Sequence, residues 1–148
     1  MATIKGKIKA VSISKERGTR KYNVPTAELK VDFGITGDVH GGSRHGQVSL
    51  LADESIDKMV AKGAEVVAGD FAENITTEGI DLQSLSIGSK LKLGSEAEIE
   101  ITQFGKKCHQ NCEILKLVGD CIMPREGIFA KVIKQGQIKP GDSIEVLN

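Results

Sequence analysis

The chain has 148 residues, and its 20 basic and 20 acidic side chains cancel to a formal net charge of zero. That balance excludes the global positive footprint of a nucleic-acid or anionic-membrane binder, and with no tryptophan and one tyrosine the chain has few platforms on which bases could stack. Its 17 glycines exceed the usual share of about 7% and point to many tight turns. The predicted elements begin with an imperfectly alternating strand over 4–14, whose apolar members are Ile4, Ile8, Val11 and Ile13. A short apolar run at 47–51 reads as a second strand. Asp53 is expected to cap a helix over 54–62, with Ile56, Met59 and Val60 on one face and Gly63 just past its end. Segments 91–93 and 99–104, joined through Gly94-Ser95, read as a hairpin. A second helix is expected over 109–118, with Cys112, Leu115 and Val118 on one face and Gly119 after it. Segment 127–134 sets Ile128, Ala130 and Val132 against Phe129, Lys131 and Ile133, and a strand over 143–147 closes the chain. Two turns, at 87–91 and 138–144, each feed a strand. Short strands between glycine turns predict an all-β barrel or sandwich.

The length suits one domain with a sizeable core. The N-terminus alternates charged and apolar residues and has no apolar signal-peptide run. No stretch approaches the ~20 apolar residues that span a bilayer. A cytoplasmic protein is therefore expected, in which three cysteines stay reduced and serve chemistry or burial rather than a disulfide framework.

Four constellations could carry chemistry. In Gly37-Asp38-Val39-His40-Gly41-Gly42-Ser43-Arg44-His45-Gly46 the glycines would expose backbone N–H groups while an arginine and two histidines meet an anion such as a phosphate. It is not a nucleotide loop, and the alternative is a glycine-rich surface loop. Segment 69–79 is dense in polar groups, among them Glu73 and Asn74, and its plainer reading is a strand edge leading into a side-chain-stabilised turn. Cys108 follows Lys106 and Lys107 and precedes His109. Nearby positive charge favours the thiolate, the form that attacks or binds metal. Cys112 and Cys121 follow, but the second pair of a structural zinc site is missing, so zinc is not expected. Both read as supporting or buried residues. Arg125, just before the strand at Gly127, could reach an anion or simply sit exposed in a loop.

Taken together, these segments resemble the MOSC domain family, named for the C-terminal domain of molybdenum cofactor sulfurase. The stretches that carry the likeness are 37–42, 47–51, 69–80, 87–88, Thr102-Gln103 leading to Cys108, 127–130 and 138–142. Each is weak alone, and the ordered set is specific. The resemblance implies a mostly β, closed or partly closed barrel with a few short helices, and a single MOSC domain over 1–148 like the small stand-alone bacterial members. It implies a reactive cysteine at Cys108, identified by its distance from Thr102-Gln103, that carries sulfur or ligates molybdenum. Asp38, His40, Arg44, His45, Glu73, Asn74 and Arg125 become the expected cofactor-binding residues. Many relatives carry an arginine just before the Gln-Val-Ser-Leu-Leu segment where this chain has Gly46, which leaves Arg44 as the neighbouring cation. The N-terminal barrel of amidoxime-reducing members and the lysine-bearing pyridoxal-phosphate desulfurase domain are not expected within these residues, so pyridoxal phosphate attaches only at the level of the family.

The resemblance leads to a sulfur-carrier or cofactor-binding domain, with molybdopterin or a sulfur-transfer protein as partner, and without nucleic acid or membrane. Two alternatives stay open: a molybdenum-dependent reductase of N-hydroxylated compounds with Cys108 on the metal, and a non-catalytic module that binds the cofactor or a partner. Whether the chain is an enzyme is not decided at this level.

Overall fold

The structure is a computed structural model and describes residues 5–16, 20–39, 41–42, 47–105, 122 and 126–147. In chain order the strands are β1 (Lys5–Ile13), β2 (Tyr22–Val24), β3 (Ala27–Lys30), β4 (Gly34–Ile35), β5 (Val48–Ala52), β6 (Ile75–Glu78), β7 (Lys90–Leu93), β8 (Ala97–Phe104), β9 (Ile128–Lys134), β10 (Gly136–Ile138) and β11 (Ser143–Leu147). Helix α1 (Asp53–Ala61) follows β5 directly. The hydrogen-bonding order β11-β7-β8-β9-β5-β6-β1 closes into a seven-stranded barrel because the first part of β1 also pairs with β11. β2 extends the ladder along the last part of β1, from Val11↔Val24 to Ile13↔Tyr22. Strands β10, β3 and β4 form a separate small sheet, from which Ala27, Leu29, Ile35 and Ile138 join the barrel core. The mostly β barrel anticipated from the sequence is what the chain forms.

The two walls of the barrel differ in what covers them. Around one side, Lys5↔Glu145, Glu145↔Lys92, Lys92↔Glu98 and Glu98↔Lys134 form a cross-strand row of alternating sign. Directly opposed opposite charges stabilise a sheet face modestly, and this wall faces water. Its inward partners, Leu91, Leu93, Ile99, Ile101, Val132 and Ile144, fill the barrel. On the other side β5 reads Val-Ser-Leu-Leu-Ala, with its first four residues buried. A second apolar layer explains this: Leu51 and Phe129 on the outer face pack with Ile56 and Met59 of α1 and with Val66, Phe71 and Ile122. A strand covered on both faces loses the polar alternation of a half-solvated one.

The helix differs in detail from the expectation. Asp53 is its first residue and not its cap; Ala52, the last residue of β5, holds the cap position with no side-chain bond. The strand runs straight into the helix, so the Asp53 carboxylate is free to accept from Lys9 Nζ at 2.6 Å. Ser55, Ile56 and Met59 form the buried face, whereas Val60 is 48% exposed. At about 100° per residue Val60 lies beyond Ile56 on the side away from Met59 and Ser55. Gly63, at φ +100°, ends the helix as anticipated: Gly63 N donates to Val60 O and Ala64 N to Met59 O, the paired bonds of a Schellman motif. The helix expected over 109–118 lies outside the described residues. The opening strand, β1, is part of the barrel. Among the described residues, no helix is long and apolar enough to cross a membrane.

Candidate functional site

The motif segments read from the sequence are neighbours in the barrel wall. Gln103 of β8 is opposite Phe129 of β9, and Phe129 is opposite Ser49 of β5. Asn74 N donates to Ser49 O at 3.0 Å, and Ser12 N donates to Asn74 O at 2.7 Å. Thr102-Gln103 on β8, Gly127–Ala130 at the start of β9, Gln47–Leu51 at β5 and Glu73-Asn74 just ahead of β6 thus line up side by side, with the end of β1 beside them. The chain enters and leaves segment 106–125 at one point. Gly105 N donates to Gly127 O at 2.7 Å, and Gln103 Nε2 donates to Gly105 O at 2.7 Å. Glu126 anchors the return: its Oε1 accepts from Ser55 Oγ at 2.6 Å and Lys58 Nζ at 3.1 Å, and its carbonyl from Gln83 Nε2 at 2.7 Å. A cavity of about 430 Å³ opens there between α1 and the 79–83 turn, lined in part by Glu54, Lys58, Asp81 and Glu126.

Three of the expected cofactor-binding residues are described, and each is buried with internal partners. Asn74 Oδ1 accepts from Ser49 N at 3.0 Å and Ser49 Oγ at 3.2 Å, while Nδ2 donates to Ser12 O at 3.1 Å. Both ends of the amide are spent tying β1, β5 and β6 together. Asp38 forms an ion pair with Lys21 at 2.7 Å, both side chains being 0% exposed, and accepts from Ser14 N at 3.0 Å. Glu73 is also fully buried. Its Oε2 accepts from Thr76 Oγ1 at 2.8 Å, and its Oε1 has no hydrogen bond. Burial pushes its carboxyl above the ordinary 4.5; the nearby amides of Gly69, Phe71 and Glu73 itself and the Thr76 hydroxyl pull it back only in part. The loop beneath it is strained, with Ala72 at φ +66°, a conformation that costs a residue with a Cβ and recurs at functional sites.

The polar loops at 37–42 and 69–74 therefore meet around the end of β1, through Ser12, Ser14 and Lys21. Sequence reasoning passed over those three residues, none of which belongs to a chemical motif. Cys108, His40, Arg44, His45 and Arg125, with Lys106, Lys107, His109, Cys112 and Cys121, lie outside the described residues. Among the described residues, no group of three or more His, Cys, Asp or Glu side chains could hold a metal ion. The three described residues turn their polar atoms to internal partners: Asp38 to Lys21 and Ser14, Asn74 to Ser49 and Ser12, and Glu73 to Thr76. Together they build a buried polar frame.

A closed barrel, carrying its motifs on one wall beneath a second apolar layer, is the architecture of a defined family. The family model described as MOSC domain matches residues 36–145, and the chain belongs to the MOSC domain family, which is associated with molybdenum-cofactor proteins. None of the curated proteins matches the chain. Among solved structures it is similar to the YuaD protein from Bacillus subtilis, with a TM-score of 0.81 and 21% identity over 98% of this chain and 97% of that one. It is also similar to YiiM from Geobacillus stearothermophilus, with a TM-score of 0.74 and 17% identity over 97% of this chain and 75% of that one. YiiM from Escherichia coli gives a TM-score of 0.68 and 16% identity, covering 100% of this chain and 70% of that one. Likeness at these identities establishes the fold.

Proposed function

We propose that the protein is a sulfur carrier associated with molybdenum-cofactor metabolism and that Cys108 bears the sulfur. The observation that supports this reading is the side-by-side placement of four family motif segments along β8, β9, β5 and the turn into β6, with Gln103 at the end of the row. Cys108 follows Gly105 by three residues in the sequence. Lys106, Lys107 and His109 supply the positive charge that favours its thiolate.

The step needs only a persulfide donor. The Cys108 thiolate attacks the outer sulfur of a protein persulfide, the donor's S–S bond breaks, and the donor leaves as a thiolate while Cys108 becomes the persulfide. His40, Arg44, His45 and Arg125 are the groups that would meet an anionic partner. No step of this transfer passes through the metal.

Freshly purified full-length protein, incubated with a low-molecular-weight persulfide, should gain the mass of one sulfur atom on Cys108. Reductant should remove it, and Cys108→Ser should not acquire it. Equal loading of the serine variant would refute the assignment. Elemental analysis of the same sample separates the molybdenum-dependent reductase, which would carry the metal.

A further inference from the structure

Asp38 and Glu73 are both buried carboxyls, but they are met differently. Asp38 faces the Lys21 ammonium at 2.7 Å. Glu73, 0% exposed, is met by uncharged groups: Thr76 Oγ1 donates to Oε2 at 2.8 Å, and the amides of Gly69, Phe71 and Glu73 itself lie nearby. Its Oε1 accepts no hydrogen bond. The charged side chains on the surrounding segments turn to partners of their own: Lys21 to Asp38, Asp70 to Val67 N at 3.0 Å, Glu54 to Gly79 N at 2.8 Å and Lys58 to Glu126 at 3.1 Å. A carboxylate buried without a facing cation is costly, and such a group takes up a proton instead.

The loop that carries Glu73 is held by few bonds. Asp70 N donates to Val67 O at 3.0 Å, Ala72 N to Gly69 O at 3.0 Å and Lys21 N to Gly69 O at 2.9 Å. Ala72 sits at φ +66°, a conformation that persists only while its surroundings enforce it. Between Gly69 and Ala72, Phe71 is 1% exposed and packs with Leu51, Ile56, Met59 and Ile122 in the second apolar layer. Opening the loop would withdraw Phe71 from that layer and leave the barrel's hydrogen-bond ladders intact. We propose that Glu73 is a proton-controlled latch on the 69–73 loop: the neutral carboxyl keeps the loop closed over the second apolar layer, and loss of the proton opens the loop while the barrel stays closed. In the closed loop an ionised Glu73 is a buried charge without a partner, and opening hydrates it. The closed loop keeps its proton above the ordinary 4.5, whereas the open loop releases it there. Through that window each pH unit therefore favours opening about tenfold, and the effect levels off once the closed loop also ionises. Asp70 acts with the opposite sign, since its carboxylate is the stronger acceptor for Val67 N.

The test is amide hydrogen exchange of the full chain over a pH series, corrected for the base catalysis of exchange itself. Protection of the Asp70 and Ala72 amides should fall about tenfold per pH unit above pH ~4.5 and then level off, as for a local opening linked to one proton. The Gly94 and Ile101 amides, bonded to Ser143 O and Ser89 O in the barrel, should keep their protection. In Glu73→Gln, which is neutral at every pH, the loop amides should lose this dependence. An equal fall in the glutamine variant would overturn the latch, and so would a fall shared by the barrel amides. The parent alone supplies a second reading if the variant does not fold. Carboxyl-carbon NMR should show Glu73 titrating above 4.5, in step with the loss of loop protection, and titration at the ordinary value would overturn the proposal equally.

Discussion

In an Asn74→Ala variant three hydrogen bonds disappear together: Ser49 N and Ser49 Oγ lose Oδ1, and Ser12 O loses Nδ2. The hydroxyl still reaches Ala72 O, so the loss falls on two buried backbone groups. Each stranded group costs about 1–3 kcal/mol, for a total of roughly 4 kcal/mol. In a domain of this size each kcal/mol lowers Tm by about 2–4 °C, so the midpoint should fall by roughly 8–16 °C. Total stability of about 5–15 kcal/mol leaves the variant folded in the cold. Urea unfolding followed by circular dichroism measures the loss, with the denaturant slope checked for constancy. Asn74→Asp is the informative companion. It keeps Oδ1 as acceptor but turns the donor into a second acceptor facing Ser12 O, so it should be at least as unstable at neutral pH and recover partly when protonated. A loss under about 1 kcal/mol in Asn74→Ala, an ordinary single hydrogen bond, would refute the view of Asn74 as the tie among β1, β5 and β6. Asn74 would then be free to meet a ligand.

Two further outcomes follow from the same frame. The folded Glu73 carboxyl is raised above 4.5, so between that value and its folded pKa the native state holds a proton that the unfolded chain has released. Its contribution is full at low pH and is lost as pH rises through that window; Glu73→Gln should gain stability relative to the parent across it, and parallel unfolding curves over pH would contradict this. Glu98→Lys places three lysines in the row Lys92–98–Lys134; it should cost about 1 kcal/mol at low salt, less as salt screens the row, and a salt-independent loss would argue against the charge ladder.

The solvated half of the barrel was legible because its residues alternate. Segments 91–93 and 99–104 signalled the hairpin that β7 and β8 form, and Gly63 signalled the helix end. The doubly covered half was harder to read. The burial of Phe129 follows from the layer of α1, Phe71 and Ile122 over it. β2, β4 and β10 are two or three residues long, too short to show a period. β6 is polar, yet three of its four residues are buried.

The candidate site divides along the same line. The sequence by itself determined the order of family motifs and the mostly β barrel they imply; the preference for Cys108 among three thiols, drawn from its charged neighbours and the family resemblance, belongs to the proposal. Only the tertiary structure decided that Asp38, Glu73 and Asn74 are buried parts of a frame and that Lys21 joins them. The physical reason is separation. Asn74 meets Ser12 across 62 positions and Ser49 across 25, and Lys21 meets Asp38 across 17. A polar side chain has the same local signature whether it will face water, a ligand or a strand from elsewhere in the chain; burial and its partner are settled only when the barrel closes.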